Sequence, residues 1–268
     1  MWKNHIIRLY VKDMDIEERL KDNVANGRRF CFLSEVTSED GNDLLFNGFV
    51  HGKVHTGDAI YIMKQDEPIM VATIGEINID DKSLDEVCDK RCEIRIKDIK
   101  DKVKTDGFVV ITSIRPQREV KLDVSVENPF LLGLSYGFQR FGNDMSYLVA
   151  LIKELTKANY LVPIILASIP EGIEDGKIPE GTVFSVPSFL NPSDKSKSLL
   201  PVFTDFDEVK SWKNDVWQKQ KTTIVTNFKD TADLSKKNDN GMVINPFGEN
   251  PIILTTEMID GILNNGKN

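Results

Sequence analysis
At 268 residues with 40% hydrophobic side chains, the chain is long enough for two domains that each bury a core. Its formal net charge of −8 disfavours nonspecific binding to polyphosphates, which requires a basic surface. No run of about eighteen apolar residues occurs, the start MWKNHIIRLYVKDMD lacks the apolar core of a secretory leader, and the three cysteines make an odd count. The expectation is a cytoplasmic protein with reduced Cys31, Cys88 and Cys92, no membrane association and no DNA partner.

Residues 5–11 (HIIRLYV) have strand composition, and Asp13 is placed to cap a helix from Met14 to about Ala25 that closes at Gly27. Residues 1–28 therefore read as an extension. From 29 to 112 apolar residues alternate along FCFLSEV, LLFNGFV, KVHTGDAIYIM, IMVATIGEINI, CEIRIKDI and GFVVITSI, separated by Gly, Asp and Asn turns. Several short strands at this spacing predict a small closed β barrel over 29–117. Its sharpest signal is residues 47–62, NGFVHGKVHTGDAIYI, where two strands are joined by glycine turns ending in Gly57-Asp58. Gly takes positive φ at no steric cost there, and Asp bonds back to the turn backbone. The run 90–104 is densest in Lys and Arg, but its alternation with Cys92, Ile94 and Ile96 fits the solvated face of a half-buried strand better than an RNA-contacting strip.

The composition changes across 113–127 (SIRPQREVKLDVSVE), which sets the domain boundary, with a second domain over 127–268. Asn128-Pro129 caps and opens a helix to about Arg140; Asp144 opens another to Lys157 with Tyr147, Leu148, Leu151 and Leu155 on its buried face. YLVPIILA over 160–167 is a strand, 169–181 a polar loop, and 182–186 and 198–203 are expected to pair as strands. Thr204 and Asp207 form a capping-box start to a helix with Phe206, Val209, Trp212 and Val216 on one face. Strands follow at 222–228, 242–244 and 252–254, with a turn at Asn245-Pro246 and a last helix capped by Thr255 or Thr256 and ending at Leu263.

Little of this pattern carries chemistry. His51 and His55, with Cys88 and Cys92, suggest two imidazoles and two thiolates for zinc, but four-residue spacing across strands and turns is not knuckle spacing. Cys92 runs in phase with Ile94 and Ile96, and Cys31 sits in the alternating FCFL, where a buried thiol is inert. No metal, cofactor or catalytic residue is therefore assigned. Every histidine lies within the first 55 residues, so acid–base chemistry in the second domain would need carboxylates. Asp144, Asp205 and Asp207 all stand at helix starts, where capping accounts for them. The candidate binding residues are Pro187, Ser188, Phe189 and Asn191, on a proline-framed loop with an apolar pair, and Arg140 and Phe141 between the opening helices.

Gly48, Gly52, Thr56-Gly57-Asp58, the apolar strand 59–63 and the spacing of strands 92–99 and 103–111 resemble the second-domain β barrel of translation GTPases such as elongation factor Tu. Lys104-Thr105-Asp106-Gly107 stands where that family has an Arg-Gly turn. No P-loop G-x-x-x-x-G-K-S/T occurs, which excludes a GTPase. LVPIIL, LLPVFTDFDEVKSW (199–212) and MVINPFGENPIILT (242–255) resemble the SseB family, named for a bacterial protein linked to serine sensitivity, over 127–265. The resemblances imply an α+β multidomain chain, a translation-protein-like barrel followed by an SseB-like α/β domain. They imply a bacterial, cytoplasmic, non-catalytic binding or regulatory protein with a protein partner; an RNA or ribosome-linked partner is set back by the acidic charge. The alternative is an enzyme or ligand-binding protein of amino-acid-related small-molecule metabolism. A convergent carboxylate pair in a deep pocket would favour that alternative, and exposed apolar loops the interaction module.

Overall fold
A computed structural model describes residues 18–20, 29–64, 67–99, 107–117, 126–168, 179–213, 222–237 and 241–265. The expected strand at 5–11, most of the helix from Met14, Lys104–Asp106, most of the 169–181 loop and Val216 lie outside these residues. The chain divides into two compact units, one of residues 1–116 with 132–137 and one of 117–131 with 138–268. Among the described residues no helix is long and apolar enough to cross a membrane.

The first unit is a curled antiparallel sheet. Its strands are β1 (Phe30–Asp40), β2 (Asp43–His55), β3 (Ala59–Lys64), β4 (Glu67–Thr73), β5 (Glu76–Ile79), β6 (Lys82–Leu84), β7 (Glu86–Cys88), β8 (Arg91–Ile96) and β9 (Val109–Thr112). They pair in the order β4-β3-β9-β1-β2-β8-β5-β6, with β7 on β2. Period-two alternation sends Phe30, Phe32, Phe46, Ile60, Ile62 and Ile94 to one side, where they form a single core. The pairing path is open, so the first unit is a curled sheet where the strand spacing predicts a closed barrel. The expected single run over 69–79 is broken at Ile74-Gly75. Ile74 bonds Asp58 and Gly57 on the β3 side, while the Gly75 amide donates to Arg95 on the β8 side.

Gly57 and Asp58 behave as the sequence predicts: Gly57 has φ +87° and the Asp58 carboxylate accepts from the His55 amide at 2.8 Å. Gly48 and Gly52 do not form turns but lie inside the unbroken β2. A Cβ on Gly48 would fall 2.1 Å from the Leu33 carbonyl oxygen, so close approach of β1 is what requires glycine there. The short β6 and β7 are additions that the alternation did not signal.

Next in the chain come α1 (Pro129–Phe141), whose residues 132–137 group with the first unit while its two ends belong to the second, and then, in the second unit, α2 (Met145–Lys157) and β10 (Asn159–Leu166). Then come β11 (Phe184–Ser185), β12 (Phe189–Leu190), β13 (Ser198–Val202), α3 (Phe206–Lys210), β14 (Thr222–Asn227), α4 (Phe228–Lys236), β15 (Gly241–Ile244), β16 (Ile252–Leu254) and α5 (Thr256–Asn265). The sheets β11-β10-β14 and β12-β13-β15-β16 are joined by the antiparallel bridge of Leu161 to Phe203. On one side α4 packs on β10, β14 and β15, α5 on β15 and β16, and α2 on both helices. Tyr160 points to that side, donating to the Leu155 carbonyl at 2.7 Å. Leu161 and Phe203 point to the other, where Val126, Val209 and Trp212 complete a smaller core.

Several local expectations are corrected. Asn128 gives α1 no capping bond; its amide is engaged elsewhere. Asp144 does cap α2, accepting from the Ser146 and Tyr147 amides, and the buried face is Tyr147, Leu151, Glu154 and Leu155, with Leu148 only half-buried. The segments 182–186 and 198–203 do not pair: β11 adds to β10, and β12 to β13. Asp205, not Thr204, caps α3, which ends at Lys210 before reaching Trp212. The helix α4 was not expected. Asn227 opens it directly from β14, accepting from the Asp230 amide at 2.9 Å.

Candidate docking site on the second unit
The parallel pairing of β13 with β15 sets the turns at their C-terminal ends side by side, residues 203–206 beside 245–248. Asn245 takes the left-handed conformation, φ +51°, which Asn tolerates better than most residues. Its carboxamide oxygen accepts from the Thr204 amide at 3.0 Å, and its own amide donates to the Thr204 hydroxyl at 2.9 Å. That hydroxyl donates to Asp205 Oδ2 at 3.0 Å, while Asp205 Oδ1 accepts from the Asp207 and Glu208 amides. Asn128 closes the network from below, donating to the carbonyls of Thr204 at 2.7 Å and Asn159 at 2.8 Å. All four side chains are buried, so each bond replaces one lost to water.

This polar layer positions an aromatic one. Phe247 follows Asn245-Pro246 and stacks on Trp212, with centroids 5.6 Å apart and planes at 25°. Phe189 meets Phe247 edge-on at 5.5 Å and Trp212 at 5.4 Å, and Phe203 lies stacked beneath at 6.1 Å from Trp212. Phe203 and Trp212 are buried, but Phe247 remains 41% exposed and Phe206, on the neighbouring turn, 40%. These are large apolar side chains left partly in water on one unit.

The predicted binding loop contributes differently from expectation. Phe189 folds into its own domain as part of the stack, since its pairing opposite Leu199 turns it toward Trp212. Leu190, on the opposite side of β12, is 69% exposed. Asn191 builds the loop: it is buried, and its side-chain oxygen accepts from the Ser193 amide at 2.9 Å. Pro187 is half-buried and Ser188 exposed beside it. Arg140 places its guanidinium 5.5 Å from the Phe141 ring, and Phe141 packs against Tyr147 at 5.7 Å, so this pair lies with the α1–α2 junction and is not brought to the stack. Phe206, Phe247 and the Thr204–Asn245 pair were missed. The available signal was an aromatic residue directly after Asn245-Pro246.

The same geometry limits the chemistry. The buried carboxylate of Asp205 is committed to a hydroxyl and two amides, and Asp144 is a helix cap held below the usual carboxylate range by the Ser146 hydroxyl and the Tyr147 amide. Burial pushes the Cys92 thiol up to about 12, and Cys88 is raised by the Asp89 carboxylate it bonds to, so neither is an activated nucleophile. Among the described residues no group of three or more His, Cys, Asp or Glu is placed to hold a metal ion. On the first unit, Arg95 is bonded to Asp40 and Asp43, and Lys97 to Glu76, so these cations of the basic run face carboxylates.

Residues 138–260 match the family described as SseB protein N-terminal domain, and the second unit therefore carries an SseB domain. No curated protein matches the chain. Among solved structures, it is similar to apo translation elongation factor SelB from Methanococcus maripaludis, at 21% identity over 31% of this chain and 18% of that chain, with a TM-score of 0.25. The same factor with the GTP analogue GppNHp gives the same values. GDP-bound aIF5B from Aeropyrum pernix is similar at 14% identity over 54% of this chain and 23% of that one, with a TM-score of 0.26. The chain thus spans well under two thirds of the length of these factors.

Proposed function
We propose that the chain is a non-catalytic binding or regulatory protein whose SseB domain docks a protein partner through the aromatic face around Phe247. One observation carries this reading: a stack of four aromatic rings leaves Phe247 41% exposed while the polar groups beneath it are bonded to one another. A ring held rigidly by its neighbours binds with little loss of side-chain entropy, which is the property of an interface anchor. The predicted loop belongs to the same face through Phe189, with Pro187 and Ser188 on its margin. Arg140 and Phe141 are kept as a secondary contact.

The first unit is proposed as a translation-protein-like barrel, closed through β4 and β5 as one strand kinked at Ile74-Gly75. Support comes from the bonds these two residues make to β3 and β8 on either side of the kink. A protein partner is favoured over RNA because Arg95 and Lys97 face carboxylates and the net charge is −8. A bacterial, cytoplasmic setting is part of the same proposal.

The test is affinity capture of the tagged full-length chain and its Phe247→Asp variant from the source organism, with co-purifying protein and RNA both identified. The expected result is a stoichiometric protein retained by the parent and lost by the variant. Identical captured sets, or a parent recovered alone, would overturn the reading and move weight to a small-molecule site.

A further inference from the structure
We infer that the open edge of β14 is a self-association surface, on which β14 of a second copy of this chain pairs antiparallel about a two-fold axis through Ile224. The surface is separate from the Phe247 face and does not depend on it.

The bonding of β10 identifies which backbone groups of β14 are open. Leu161 commits both of its main-chain groups to Phe203, donating at 2.9 Å and accepting at 3.0 Å. A residue in an antiparallel strand directs its N–H and C=O to one side, so Leu161 has neither left for Val225, which stands opposite it on β14. Thr223, two residues away, has the same orientation, and the residue opposite it is Pro163, which has no N–H. The amides and carbonyls of Thr223 and Val225 therefore point away from β10. Because β14 ends the sheet β11-β10-β14, no strand among the described residues pairs with that edge. All six residues of β14 keep some exposure to solvent.

The sequence leaves this edge unprotected. β14 reads TTIVTN, without charge or proline and with five β-branched residues in six. Other edges are blunted: β6 has three residues and carries Lys82, β11 and β12 have two each, and α5 packs on the three-residue β16.

The open groups suit a second copy of the same strand. A two-fold axis through Ile224 sets Thr223 of one copy opposite Val225 of the other, and the four bonds that result use the N–H and C=O of both residues on both copies. The same register places Ile224 against its counterpart and Thr222 against Thr226 of the second copy, so β-branched side chains meet and no like charges are opposed. A longer partner strand would gain little at one end, since α4 begins at Phe228 directly after β14. Such a contact uses one patch twice and closes as a dimer.

The experiment measures mass against concentration by sedimentation velocity for the full-length protein and its Ile224→Lys variant. In parallel, disulfide trapping in a Cys88→Ser background, which lacks the exposed thiol, tests the register. Six residues a side make a small interface, so the parent should pass reversibly from one chain to two as concentration rises, and I224K should remain at one. Under mild oxidation I224C should form a covalent dimer, because directly opposed, non-hydrogen-bonded residues sit at disulfide distance. T222C and T226C should each trap little alone and should cross-link to one another when mixed. A parent that stays at one chain throughout would overturn the inference and leave the edge to an extended segment of a different protein. A dimer that persists in a folded I224K, or equal trapping by I224C and T226C alone, would overturn it as well. Should I224K fail to fold, the trapping pattern upholds or overturns the register by itself.

Discussion

Asn245 and Thr204, 41 residues apart in sequence, bond each other twice: amide to carboxamide oxygen at 3.0 Å and carboxamide nitrogen to hydroxyl at 2.9 Å. The pair ties the turn after β13 to the turn after β15 and so fixes where Phe247 stands.

Breaking this pair should cost stability and loosen the ring together. Asn245→Ala leaves the buried Thr204 amide without its acceptor, an expected loss of about 1–3 kcal/mol. Thr204→Val should behave similarly, and the double variant should lose less than the sum, because both remove one interaction. Urea unfolding of the four proteins checks this. Strict additivity would mean that the two residues act independently.

Two glycines distinguish close approach from backbone conformation. Gly48→Ala drives a methyl against the Leu33 carbonyl, 2.1 Å away, and should cost about 2–3 kcal/mol through forced strand separation. Gly57 has φ +87° but open space around it, so Gly57→Ala should cost only about 1 kcal/mol. Comparing the two midpoints in urea tests the ranking; a larger loss at Gly57 would contradict it.

Much of this fold was legible from local pattern. Alternation marked the long strands of the first unit, Gly57-Asp58 its turn, and the spacing of Tyr147, Leu151 and Leu155 the face of α2. What escaped was set by distant partners or lacked a period. The residues of β6 are all exposed and show no alternation, and α4 starts straight from β14 with no intervening turn residue. Asn128 has the residue type of a cap, yet its carboxamide nitrogen donates to the carbonyls of Asn159 and Thr204 and its oxygen accepts no bond from the amides of α1. The proline-framed loop around Phe189 stands out in the sequence, but the direction of Phe189 depends on its partner Leu199 across β12 and β13. The exposure of Phe247 depends on Trp212 and Phe203, neither adjacent to it in sequence.

Acid should destabilise the protein through its paired carboxylates. Asp144 is held below the usual range by the Ser146 hydroxyl and the Tyr147 amide, Glu76 by Lys97, and Glu86 by Lys53. A carboxyl depressed in the folded state stabilises above its unfolded pKa, about 4 for these residues, and that contribution is lost as pH falls through the folded value. Stability should therefore decline below about pH 4.5, more gently in Asp144→Asn. Urea unfolding across pH 3–7 measures both slopes (about the range that brackets these groups), and an identical slope in the variant would count against the cap.

The thiols should separate by burial. Cys88 is exposed while Cys31 and Cys92 are buried. With Ellman's reagent at mildly alkaline pH, Cys88 alone should react in the native protein, and more slowly than free cysteine because Asp89 raises its pKa. Asp89→Asn should accelerate it, and denaturant should expose all three cysteines. Rapid native reaction at Cys92 would contradict its place in the first unit's core.

The most direct test of the docking face is site-specific photo-crosslinking in the source organism, with benzoylphenylalanine replacing Phe247 in one protein and Met258, exposed on α5, in another. The account predicts one defined protein adduct from position 247, absent from position 258 and reduced when Phe189→Ala is added. No adduct at 247, or the same adducts from both positions, would contradict it.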